Sequence, residues 1–212
     1  MAALPQGLGT LVSRVAVIFS CVAATAAQAG TLAVEPVAWG SAVELRHHGA
    51  MGETRLLNRV TPHLCFSLSL PQEWRLTGEE GGTSLEAVSF RAKLDVSLRS
   101  AHDLQDLPQT DLAHRDAAFL QRDYEGLLGR PAQSVSLTSP VPGATRWSAT
   151  WVDANLPTAA RAMTIETYIV PLSKEWVLEL SLDDVPTGEA HDALVQRLLT
   201  GLQVRAGAAC RG

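Results

Sequence analysis

Six histidines, three cysteines and twenty-two carboxylates are the raw material from which this 212-residue chain would build a site. His47 and His48 are adjacent, so on a strand they point to opposite faces and do not share one ion; in a loop they are solvated imidazoles. Asp111 and His114 are three apart on a predicted helix, close enough to share an ion or a hydrogen bond. Nothing near them supplies a third ligand, so capping is the expected role. His102, Asp103 and Asp106 form a small acidic loop with fewer oxygens than the roughly six that calcium needs. The chain contains no G-x-S-x-G, no H-E-x-x-H, no Walker-type glycine loop and no G-x-G-x-x-G. It also lacks C-x-x-C. No catalytic residue, metal ligand or cofactor site is therefore assigned.

Binding chemistry has more candidates. Trp147, Trp151 and Tyr124 are the aromatic residues best placed to line a ligand cavity, and a plain core is the competing role. Glu166 and Tyr168 lie on the polar side of their strand and form a candidate partner surface. Cys65 and Cys210 are the cysteines left once a leader is removed, and in an oxidising compartment they form a candidate disulfide. Such a bond would close a long loop and contribute about 4 kcal/mol in the loop-entropy account.

The elements that position these residues follow from periodicity. Trp147, Ala149 and Trp151 alternate with polar residues, as do Met163, Ile165, Thr167 and Ile169, and Trp176, Leu178, Leu180 and Leu182. Asn155-Leu156-Pro157 and Pro171 to Lys174 separate these runs, and short connections favour antiparallel neighbours. Gln133 to Leu137 is a further strand. Upstream, Leu64, Phe66, Leu68 and Leu70 alternate up to Pro71, and Ser84–Phe90 with Leu94–Leu98 read as a hairpin. One helix starts at Thr110 or Asp111 and stops at Gly129, with Ala113, Ala117, Leu120, Tyr124, Leu127 and Leu128 as its stripe. A second runs from Thr187 to about Leu202, with Leu194, Val195, Leu198, Leu199 and Leu202 inward. The late strands read as one oily and one wet face, which places both helices on the same side of the sheet. The fold class is α+β, an antiparallel sheet packed by two main helices.

Residues 1–29 fit a secretory signal: Arg14, an apolar run from Val15, then Ala27-Gln28-Ala29. The run is short for a bilayer span, which takes about 20 apolar residues, so the mature form has no stable membrane span. Residues 30–61 read as an extension or edge element, 62–205 as one domain and 206–212 as a tail. Losing Arg14 moves the formal charge from −5 to −6. An acidic chain argues against nucleic acid as a partner.

Three patterns resemble the PsbP-like fold, the group of PsbP-, DcrB- and LpqN-type exported proteins. They are Phe66-Ser-Leu-Ser-Leu-Pro71-Gln-Glu-Trp74, the strand pair Thr164–Val170 and Trp176–Leu182, and the closing helix with Leu198-Leu199-Thr-Gly-Leu202. The resemblance covers roughly residues 64–205. It implies an α/β/α sandwich and no reaction, and it transfers no functional residue. The expectation is a non-catalytic binding or accessory protein of the periplasm or cell envelope, docking a protein partner. The alternative is a carrier of a small apolar ligand held between sheet and helices. An enzyme with an unrecognised site ranks third.

Overall fold

The computed structural model describes residues 43–78, 82–153 and 161–210. All lie in the compact unit Val37–Gly212. The leader, the Asn155-Leu156-Pro157 breaker and most of the turn after Gly78 fall outside the described residues.

Among the described residues eleven strands form two antiparallel sheets beside two helices, so the α+β class holds. The smaller sheet has the order β1-β2-β3-β11, with β1 Glu44–His48, β2 Glu53–Thr61, β3 Leu64–Pro71 and β11 Gln203–Ala206. The larger has the order β4-β5-β6-β10-β9-β8-β7. Its strands are β4 Trp74–Gly78, β5 Thr83–Ala87, β6 Lys93–Ser100, β7 Ser134–Thr138, β8 Thr145–Val152, β9 Ala162–Pro171 and β10 Trp176–Asp183. Helix α1 spans Leu112–Leu128 and α2 spans Gly188–Gly201.

Both helices begin where their caps dictate. Asp111 accepts from the amide of His114, and Thr187 from that of Ala190, which satisfies donors the first turn leaves free. Gly129 ends α1 in the left-handed region at φ 64°, where a residue without Cβ meets no steric cost.

The four late strands β7 to β10 form the expected meander. Their oily halves do not all point the same way. Register sets Leu178 opposite Val170 and Leu180 opposite Tyr168, whereas Glu179 stands opposite Ile169. Trp147, Ala149, Trp151, Ile169 and Val177 therefore face α1, where they join Leu112, Ala113, Ala117 and Leu120 in one core. Leu178, Leu180 and Leu182 face the other side, with Tyr168 and Val170. There they share a second core with Phe66, Leu68 and Leu70 of β3 and with Leu194, Val195, Leu198 and Leu199 of α2. The two helices thus lie on opposite faces of the seven-stranded sheet, which corrects the same-side expectation. Alternation fixes which residues of one strand share a face; pairing register decides how those faces add up across strands. The same-side packing on which the PsbP-like kinship and a non-catalytic role were argued is absent, so it supports neither.

Residues 44–61 form β1, at an edge of the smaller sheet, and β2 inside it. β2 pairs with β3 along its length, apart from a bulge between Arg59 and Thr61, and Leu56 is fully buried. The chain end is also built in: β11 pairs with β3, and the short 3-10 turn Gly207–Cys210 brings Cys210 to Cys65.

Candidate functional site

Three elements bring charge to one buried point. β6 supplies Arg99, β10 supplies Glu179 and α1 supplies Asp116. The Arg99 Nε donates to Asp116 Oδ1 at 2.9 Å and to Glu179 Oε1 at 2.7 Å. Ser97, opposite Glu179 in the β6–β10 register, donates its hydroxyl to Glu179 Oε2 at 2.7 Å. Phe119, on the next turn of α1, holds its ring 3.9 Å from the guanidinium carbon of Arg99, a cation–π contact. The Asp116 side chain is 0% exposed and that of Glu179 is 8% exposed.

Two carboxylates face one guanidinium, so full ionisation would leave an excess negative charge away from water. Burial first, and the charge of Glu179 second, push the Asp116 carboxyl up to about 8, against the opposing pull of Arg99. The Asp116 Oδ2 is buried and has no hydrogen-bond partner among the described residues. A proton there supplies a donor, and Glu179 is the acceptor within reach. The cluster is then a carboxylic acid and a carboxylate under one cation. Asp116 is closed beneath α1, and the cluster fastens α1 to the sheet.

Tyr124, two turns beyond Asp116, stacks on Trp147 with centroids 5.6 Å apart and planes 18° apart. It lies 6.1 Å from Trp151, and the two indoles are 6.5 Å apart. Both indoles are buried, and the Trp151 Nε1 donates to the Arg130 carbonyl at 3.2 Å. Burial, and next the charge of Glu179, raise the Tyr124 phenol above its ordinary value. The three aromatic residues grouped from sequence come together, Tyr124 and Trp147 face to face and the two indoles edge to face.

Tyr168 does not form a surface. It is 3% exposed, belongs to the core beneath α2 and lies 6.3 Å from the His191 ring. Burial, and then Glu166, push its phenol up to about 12. The partner-surface reading placed Tyr168 on an open face; register pairs it with Leu180, so the face is closed. Glu166 is half-buried and pairs with Arg146, with Ser148 at 3.4 Å.

Cys65 and Cys210 are bonded, with Cα atoms 5.7 Å apart. Asp111 caps α1 while its other oxygen meets His114 Nδ1 at 2.6 Å. His47 bonds to Thr54 at 3.1 Å. Asp103 accepts from the Ser100 amide and hydroxyl. Among the described residues no three His, Cys, Asp or Glu side chains converge as metal ligands. A groove of about 320 Å³ lies elsewhere, lined by Thr77, Glu86, Arg91, Ala92, Lys93 and Asp184.

Sequence reading singled out none of Arg99, Asp116 and Glu179. One signal was present: Asp116 lies three residues after Ala113 and four before Leu120, so it belongs to the buried stripe of α1. No family model, curated protein or solved structure matches the chain.

Proposed function

We propose that this chain is a non-catalytic exported binding protein of the periplasm or cell envelope that docks a protein partner. One observation carries the reading: the buried charge cluster and the aromatic group beneath α1 are packed shut. Asp116 is sealed under α1, and Glu179 is held by Arg99 and Ser97. The Tyr124, Trp147 and Trp151 rings fill the space between helix and sheet with each other. What remains available is outer surface on a braced pair of sheets. The pairing of Cys65 with Cys210 supports export, since disulfides persist in oxidising compartments. The signal-like segment 1–29 supports it too, as do the sequence patterns shared with the PsbP-like group.

The first test is mass spectrometry of the protein recovered from the cell envelope. The expected species begins near Gly30 and contains the intact disulfide; a retained Met1 would overturn the cleaved-leader reading. The second is photo-cross-linking in intact cells, which should yield one protein partner from reproducible positions. Turnover of any screened substrate that Asp116→Asn or Glu179→Gln abolishes would replace the binding reading with an enzymatic one. Saturable uptake of an apolar dye, lost in Trp147→Leu, would favour the carrier.

A further inference from the structure

The two sheets end in four strands, and three of those edges are blunted. β1 carries Glu44, Arg46, His47 and His48 within five residues. β4 carries Arg75 and a register shift between Leu76 and Gly78. β11 is four residues long, carries Arg205 and passes at once into the 3-10 turn tied to Cys65. Charges, bulges and shortness are the devices by which proteins keep strand edges from pairing with other chains.

β7 has none of them. Its sequence is Ser134-Val-Ser-Leu-Thr138, and the flanking Gln133 and Ser139 are also uncharged. It pairs with β8 through five consecutive residues without a register shift and, among the described residues, is hydrogen-bonded on that side only. All five residues are exposed. Val135 and Leu137 stand opposite Ala149 and Trp147, on the α1 face, yet are 50% and 43% exposed.

We infer that β7 is the dimerisation edge of this protein, pairing antiparallel with β7 of a second copy. The argument for a second copy is self-complementarity. In an antiparallel pair centred on Ser136, each Val135 faces a Leu137 of the other chain. These four apolar side chains then form one row on the α1 face. Ser136 meets Ser136, and Ser134 meets Thr138, so hydroxyls face hydroxyls on the other side. No charge opposes a like charge anywhere along the seam. The contact is isologous and closes on itself, the commonest form of oligomer. The two seven-stranded sheets become one continuous sheet.

The pairing fixes distances that cross-linking reads. Opposed Cα atoms in an antiparallel pair are about 4.5–5.5 Å apart, inside the range a disulfide spans. Ser136→Cys should therefore yield a disulfide-linked dimer when the purified protein is mildly oxidised. Ser134→Cys should not, because its counterpart in the other copy lies four residues along, about 14 Å away at roughly 3.4 Å per residue. By sedimentation velocity across a concentration series, the unmodified protein should self-associate. The variant V135K/L137K sets lysine against lysine and should weaken association by about tenfold or more. The variant V135K/L137E sets lysine against glutamate and should restore it. Circular dichroism of each variant confirms that the fold is kept.

A monomer at every concentration would overturn the inference, as would equal cross-linking of the two cysteine variants or a dimer indifferent to V135K/L137K. An extended segment of another protein on β7 would appear as a cross-link from position 136 to that protein in place of the dimer, and would also overturn it. The inference is independent of the partner proposed above. A monomer that still captures an envelope protein would sink this inference and leave that one standing.

Discussion

Asp116 is the residue whose surroundings differ most from those its type prefers. An aspartate closed off from water is tolerated here because Arg99 supplies a cation and a proton resolves the remaining excess charge. That proton links stability to pH. In the unfolded chain the carboxyl titrates near 3.8, and in the fold at about 8. The folded state therefore binds a proton that the unfolded state has lost across this window. The contribution is fully present below about pH 4, erodes as pH rises, and is gone once pH passes about 8. The urea midpoint should accordingly fall between pH 5 and about 8 more steeply than in Asp116→Asn, which keeps the hydrogen bond to Glu179 without titrating. Equal slopes for the two proteins would refute the shared proton. Arg99→Met removes the cation that pairs with two buried carboxylates and should cost about 3–5 kcal/mol by denaturant titration, the range for breaking a buried ion pair.

At the scale of elements, each helix is held by a different device. α1 is fixed by the charge cluster and by Tyr124, Ala117 and Leu120 against the indoles of β8. Trp147→Ala removes the ring on which Tyr124 stacks and should lower stability by about 3–5 kcal/mol. Leu127→Ala should stay within about 0.5 kcal/mol. Leu127 was read as part of the apolar stripe, but it points to solvent. α2 approaches β3 closely at its last residue: a Cβ on Gly201 would lie 3.3 Å from the Ser69 Cβ. Gly201→Val should therefore cost about 1–3 kcal/mol through forced separation of α2 from β3, read by thermal unfolding. A neutral result would mean that β3 yields without loss.

For the whole molecule, the Cys65–Cys210 bond joins an early strand to the chain end across 145 positions. Reducing it frees the unfolded chain and should lower stability by about 4–5 kcal/mol in the loop-entropy account. The same loss should appear in the double variant C65S/C210S. A loss confined to fraying of the last residues, with an unchanged global midpoint, would show that β11 is held by its pairing to β3 alone. Two cores on opposite faces of one sheet also make this a layered molecule, in which α1 and α2 are loosened by different substitutions.

Some of this organisation was determined by the sequence alone. The period-two runs of β3, β8, β9 and β10, the caps Asp111 and Thr187 and the Gly129 stop are local patterns, and local sterics and hydrogen bonding suffice to specify them. β1, β2, β4 and β11 were not legible as strands. Their alternation is broken by charges, glycine or brevity, and they become strands because neighbours pair with them: β3 with β2 and β11, β2 with β1, and β5 with β4. The charge cluster needed three elements to meet: Arg99, Asp116 and Glu179 span 81 positions of the chain, and no spacing rule links them. The faces of the helices were decided in the same way. Each strand records which of its residues lie together, but the register between strands is a tertiary choice, and it set the oily half of β10 against α2 while that of β8 met α1.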